Sequence, residues 1–143
     1  QLVLEVTESR LMTNALSALD ILTRLRLKHI GLSIDDFGTG HSSLAQLRDI
    51  PFDELKLDKG FVHGAHHDHS NRAILEANLG MARQLGMRSV AEGVEDRADW
   101  DLLQRMRFDL AQGYFISRPM AGGEIPGWIA QWEPRRIELV AGR

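Results

Sequence analysis

Apolar residues fall along this chain in two alternating rhythms. Short, nearly continuous apolar runs at Leu2–Val6, Ile30–Ile34, Glu54–Leu57, Arg88–Ala91 and Asp109–Phe115 predict five strands. Most are separated by stretches with helical spacing. Leu16–Leu27 carries Leu16, Leu19, Ile21, Leu22, Leu25 and Leu27 on a broad face, with Arg24, Arg26 and Lys28 opposite. Asn71–Leu85 is the longest helical pattern, with Ser70 as its expected N-cap and Gly86 just past its end. Shorter helices are expected at Ser43–Leu47, stopped by Pro51, at Asp99–Met106, and at Gly123–Trp132. Strands alternating with helices imply an α/β fold, with parallel strands joined by right-handed crossovers.

Composition narrows the function classes. The 143 residues are 43% hydrophobic and 26% charged, ordinary values for one globular domain with a real core. A net charge of −3, from 17 basic and 20 acidic residues, provides no basic field for a nucleic-acid polymer. With no cysteine, disulfides, zinc–thiolate sites and thiol catalysis are all excluded, and a cytoplasmic address is expected. No apolar run approaches the roughly 18 residues of a membrane span. The chain opens inside a strand-like pattern at Gln1-Leu2-Val3-Leu4, with neither an initiator Met nor a signal peptide. It therefore reads as a piece of something longer. His63-Gly64-Ala65-His66-His67-Asp68-His69 is compositionally odd. It reads first as a solvated loop, with transition-metal binding as the alternative.

The chemistry is concentrated where the predicted strands end. In parallel α/β folds, ligands bind at the carboxyl ends of the strands. Those ends carry Glu5 and Glu8, Asp35 and Asp36, Lys56 and Asp58, Glu92 and Glu95, and Gln112. Adjacent carboxylates repel unless a cation or bulk water attends them. A set of carboxylates with one lysine and no thiol suits a hard divalent ion, magnesium or manganese. Two such ions bridged by one carboxylate are a known device for phosphodiester hydrolysis. Gly38 and Gly40 permit a sharp turn after Asp36, although the Gly-Lys-Ser/Thr ending of a P-loop is absent.

Five segments together resemble the EAL domain family, whose members hydrolyse cyclic di-GMP. They are Leu4-Glu5-Val6-Thr7-Glu8, Asp35-Asp36-Phe37-Gly38-Thr39-Gly40-His41-Ser42-Ser43-Leu44, Lys56-Leu57-Asp58-Lys59, Ala91-Glu92-Gly93-Val94-Glu95, and Gln112-Gly113-Tyr114 through Ser117-Arg118-Pro119. The resemblance implies a TIM-barrel-like (β/α)8 fold with a divalent-metal site at its mouth. It implies Glu5, Asp35, Asp36 and Glu92 as metal ligands, with Asp35 shared between two ions. Lys56 corresponds to the lysine that orients the attacking water. Glu92 and Asp36 are expected to take part in catalysis as well as in holding metal. Glu8 is expected to brace the glycine loop of Gly38, Thr39 and Gly40, and Gln112 and Glu95 to lie at the substrate pocket.

The implied reaction opens one phosphodiester bond of cyclic di-GMP and yields linear pGpG, with Mg2+ or Mn2+ as cofactor. The alternative is a non-catalytic EAL domain that binds cyclic di-GMP or a protein partner. A homodimer through the glycine-loop region and an upstream sensory or diguanylate cyclase domain are also expected. The departures concern completeness: the Glu-Ala-Leu motif and its following asparagine ligand would precede Gln1. Only about five of eight βα units are visible, so residues 1–143 are expected to be the C-terminal part of a single EAL domain. Alone they are expected to be inactive. His41 stands where the family usually has tyrosine, and Gly60 where it usually has serine.

Overall fold

The computed structural model describes residues 2–9, 15–38 and 50–141. Five parallel strands form one sheet in sequential order: β1 (Val3–Thr7), β2 (Gly31–Phe37), β3 (Glu54–Leu57), β4 (Arg88–Ala91) and β5 (Leu110–Ala111). The helices are α1 (Ala15–Leu27), α2 (Lys59–Val62), α3 (His69–Gln84), α4 (Arg97–Met106) and α5 (Ile125–Ala141). A 3-10 turn at Gly122–Glu124 precedes α5. The alternation read from the sequence is therefore present. β3 and β4 have the predicted bounds, whereas β2 runs on through both aspartates to Phe37.

Apolar side chains from one face of the sheet meet the helices in two clusters. Leu32, Ile34, Phe37 and Leu55 pack with Leu22 of α1, Ala82 of α3 and Met87. Leu57, Ala91 and Val94 pack with Val62 of α2, Leu75 of α3 and Leu102 and Leu103 of α4. Leu32, Ile34, Leu55, Leu57, Leu75 and Val94 are fully buried. Each contributes on the order of 1.5–3 kcal/mol relative to exposure. The packed helices thus cover the apolar face of the sheet.

Capping explains most helix starts, and three differ from expectation. Asp68, not Ser70, caps α3: its carboxylate accepts from the backbone N–H groups of Ser70 and Asn71. A carboxylate also interacts more favourably with the helix dipole than a hydroxyl does. Gly86 does follow α3 in the left-handed conformation, at φ 70°. Asp96 caps α4 by accepting from Asp99 N, so that helix begins at Arg97. Helix α5 starts at Ile125 and continues through Pro134, well beyond Trp132. The contact of Trp132 with Trp100 and the burial of Leu139 tie down both sides of the proline. The expected strand Asp109–Phe115 is regular only over Leu110–Ala111. The expected helix Ser43–Leu47 lies outside the described residues.

Candidate active site at the strand ends

Parallel register decides which side chains share the polar face of the sheet. Glu5 is level with Ser33, Thr7 with Asp35, and Lys56 with Val90. Leu32, Ile34, Leu55 and Leu57 point to the helices, so alternation turns Ser33, Asp35 and Lys56 the other way. Adjacent Asp35 and Asp36 ought then to face opposite sides. They do not, because β2 bulges: Ile34 pairs with Leu55 and Phe37 with Leu57, so three β2 steps match two on β3. Asp36 takes the strain at φ 56°, a left-handed conformation that aspartate tolerates better than most residues. Phe37 returns to the core, and carboxylate oxygens of Asp35, Asp36 and Glu92 come within 4.8 Å of one another.

Lys56 is the cation at the centre of this cluster. Its side chain is 6% exposed, and Nζ lies 2.9 Å from Glu5 Oε1, 3.3 Å from Asp35 Oδ1 and 2.5 Å from Glu92 Oε1. Burial alone would lower the ammonium pKa. Hydrogen bonds to Glu92 and Glu5, with the charges of Glu92 and Asp35, outweigh it and raise the pKa above its ordinary value. Lys56 is thus held firmly protonated. Glu92 is shifted upward, chiefly by burial and then by Asp35 and Glu5, against the pull of Lys56. Asp36 is also raised, by burial first and then by Asp35 and Asp58.

One ammonium leaves the carboxylates with uncompensated charge. Asp35 Oδ1 is buried yet makes no hydrogen bond, its nearest cation being Lys56 at 3.3 Å. A buried acceptor left in this state is costly. The donors offered by Asp35, Asp36 and Glu92 are all oxygen, the set that magnesium and manganese prefer. The residues present therefore fit a hard divalent cation.

Other predicted residues surround this centre. Glu8 is 2% exposed, and its Oε2 accepts from Gly38 N at 3.0 Å, bracing the start of the glycine loop. Thr39 and Gly40 lie outside the described residues. Beside Glu92, a cavity of about 210 Å³ is lined by Glu95, Gln112, Lys59 and Tyr114. Gln112 is also fixed through its backbone, which donates to Ala91 O and accepts from Val94 N. Lys59 and Tyr114 were not singled out from the sequence as site residues. Their signal lay in the segments themselves, since Lys59 follows Asp58 and Tyr114 follows Gln112-Gly113. Arg118 stacks over the Tyr114 ring at 4.5 Å and fixes that wall.

Comparison with known proteins agrees with this geometry. Residues 1–119 match the EAL domain family. The chain is 43% identical over 129 residues to the bifunctional diguanylate cyclase/cyclic di-GMP phosphodiesterase MucR of Pseudomonas aeruginosa. That alignment covers 90% of this chain but only 19% of MucR. The solved MucR phosphodiesterase–c-di-GMP complex superposes with a TM-score of 0.82, covering 86% of this chain and 50% of that one. The EAL domain of Mycobacterium smegmatis DcpA superposes at 0.83 with 35% identity, covering 91% of this chain and 58% of that one. A manganese/cyclic di-GMP complex of Klebsiella pneumoniae BlrP1 superposes at 0.78 with 36% identity, over 83% of this chain and 30% of that one. No helix among the described residues is long and apolar enough to cross a membrane. With the family matched over residues 1–119 and the fold superposing on solved members, this chain belongs to the EAL domain family.

Proposed function

We propose that the chain is the C-terminal part of an EAL domain that hydrolyses cyclic di-GMP to linear pGpG. The observation that carries this reading is the buried Asp35 Oδ1, which makes no hydrogen bond and is set among Asp36, Glu92 and Lys56. The two activities named for MucR and the bound ligands of the MucR and BlrP1 structures support the choice of substrate and of a divalent ion. Glu5, Asp35, Asp36 and Glu92 would hold magnesium or manganese, with Asp35 shared where two ions bind. Such ions lower the pKa of bound water and neutralise charge on the phosphate.

The chain's own residues have separate roles. Lys56, fixed by Glu5 and Glu92, presents an N–H toward the attacking water and stabilises negative charge at the phosphorus centre. Glu92, with its raised pKa, accepts the proton of that water. Glu8 holds the glycine loop, and Gln112, Glu95 and Tyr114 form the wall that receives the dinucleotide. The remaining strands, with the Glu-Ala-Leu glutamate and the asparagine ligand, belong upstream, where a sensory or diguanylate cyclase domain would also lie. A cytoplasmic location and a homodimer through the glycine-loop region complete the proposal.

The test is release of pGpG from cyclic di-GMP with manganese. It is run on residues 1–143 and on the longer parent, each beside Asp35→Ala. Turnover by the parent and loss of at least about a hundredfold in its Asp35→Ala variant are expected, the scale of removing a principal charge-stabilising group. The 143-residue chain alone is expected to be inactive. Binding of cyclic di-GMP by the parent without turnover would replace this reading with a receptor.

A further inference from the structure

We propose that the turn at residues 63–67 and the start of α4 form a cation site outside the strand-end carboxylates. It would take a borderline transition-metal ion such as zinc through His63, Asp96 and Asp99. Each of these side chains offers one ligand atom, and the three atoms lie within 4.8 Å of one another. The residues come from two elements, an imidazole on the turn and an i, i+3 carboxylate pair at the helix start. An imidazole with two carboxylates differs from the all-oxygen set of Asp35, Asp36 and Glu92, and favours zinc-like ions over magnesium.

The spacing suits direct coordination. His63 Nδ1 is 2.9 Å from Asp99 Oδ2, and His66 Nδ1 is 3.4 Å from Asp99 Oδ1. Two donors bound tetrahedrally to one zinc at its ordinary bond lengths lie about 3.3 Å apart, close to both of these separations, and the Asp96 ligand atom lies within 4.8 Å of those of His63 and Asp99. The carboxylates are already oriented. Asp99 is fully buried and accepts from Gly64 N at 3.0 Å and Glu95 N at 3.3 Å, while Asp96 Oδ1 accepts from Asp99 N at 2.8 Å. Backbone donors of this kind commonly orient metal-binding carboxylates. His63 remains half exposed, which leaves an entry path.

A second imidazole faces the same carboxylate. His66 Nδ1 is buried and lies 3.4 Å from Asp99 Oδ1, an ion-pair distance without a hydrogen bond. A simple staple between the turn and α4 needs only the bonds from His63, Gly64 and Glu95 to Asp99. It does not call for a second imidazole nitrogen withdrawn from water. An ion bound by His63, Asp96 and Asp99 would draw Asp99 into line with both rings, with His66 supporting the carboxylate or completing the coordination sphere.

Cobalt(II) is the probe, because coordination by imidazole and carboxylate at low coordination number intensifies its visible absorption. The full chain is titrated with cobalt and then with zinc as competitor, as wild type, Asp35→Asn, His63→Gln and Asp96→Ser. His63→Gln keeps a hydrogen-bond donor for Asp99, and Asp96→Ser keeps a helix cap. Circular dichroism melts accompany each titration. One equivalent of zinc-displaceable cobalt is expected in wild type and in Asp35→Asn. Affinity should fall about tenfold or more in both His63→Gln and Asp96→Ser. The proposal is overturned by no intensified band under excess cobalt, by a band lost only in Asp35→Asn, or by unchanged affinity in folded His63→Gln or Asp96→Ser. Should His63→Gln fail to fold, Asp96→Ser decides alone.

Discussion

Replacing Lys56 by methionine removes a charge while nearly conserving shape, and the structure sets the expected cost. Three carboxylates lie 2.5–3.3 Å from Nζ, and the ammonium is 6% exposed. At an effective dielectric near 20, one pair about 3 Å apart attracts by roughly 5.5 kcal/mol. Most of that is offset by desolvation of the ammonium and by mutual repulsion of the acids. Breaking a fully buried pair costs about 3–5 kcal/mol. Here Glu5 is 53% exposed and Asp35 and Glu92 about a fifth, so water screens the orphaned charges. A loss of about 2 kcal/mol for Lys56→Met is the expected outcome without metal.

Urea unfolding at neutral pH measures that loss, and two further readings separate charge from packing. Glu92 already has a raised pKa, and loss of Lys56 raises it further. A carboxyl with a folded pKa above its unfolded value stabilises most below the unfolded pKa, and that benefit is lost as pH rises through the folded one. The deficit of Lys56→Met should therefore shrink as pH is lowered from 7 toward about 4.3, the unperturbed glutamate value. Manganese at a hundred times its dissociation constant adds about 2.7 kcal/mol to a chain that binds it only when folded. Removing a competing cation should make that gain larger in the variant. A variant within about 0.5 kcal/mol of wild type without metal, or an equal deficit with and without manganese, would refute the electrostatic reasoning.

Other perturbations test neighbouring parts of the frame. At Gly113 an added Cβ would sit 2.2 Å from Val94 O and 2.3 Å from Val94 N, both backbone atoms. Gly113→Ala should therefore cost about 3 kcal/mol in urea unfolding, the upper end for overpacked sites. Glu8→Ala removes the acceptor of Gly38 N and should cost about 1–3 kcal/mol, with faster hydrogen exchange at the Gly38 amide. Unchanged protection there would mean the loop is held elsewhere. Asp109 accepts from Ser89 N and Oγ, and the backbone bond above all holds its carboxyl below the usual range. Its stabilising effect is present above the unfolded value of about 3.9 and lost as pH falls through the lower folded one. The stability gap between wild type and Asp109→Asn should thus narrow in acid, and a gap constant down to about pH 3 would argue against it.

Periodicity revealed the βα alternation because β2, β3 and β4 are buried against helices and leave continuous apolar runs. Charged residues at successive strand ends likewise singled out Glu5, Asp35, Asp36, Lys56 and Glu92, which the fold brings together. Less visible was anything decided by a distant partner. The turn at His63–His69 reads as solvated, yet His63 and His66 turn toward Asp99, more than thirty residues away. Helix α2 spans only Lys59–Val62, too short for a periodic signal, and its start depends on Asp58 capping Gly60 N. Pro134 looks like a stop, but tertiary packing carries α5 past it. β5 stops after Ala111, where Gln112 passes from Ala91 to Val94 as its hydrogen-bond partner.

The bulge at Asp35–Asp36 means that fold and chemistry differ here by a single residue. Without Asp36, Ile34, Asp35 and Phe37 would pair in plain alternation with Leu55, Lys56 and Leu57. Phe37 would still reach the core, and the sheet would keep its register. What would vanish is the second carboxylate. A strand with no extra residue can present only every other side chain to one face, so two neighbouring acids at one mouth require a break in parity. The left-handed turn at Asp36 is that break, and it makes the pair a property of backbone count as much as of side-chain identity. A one-residue deletion is therefore a cleaner knockout of the paired acids than any substitution, because it leaves no misplaced side chain behind.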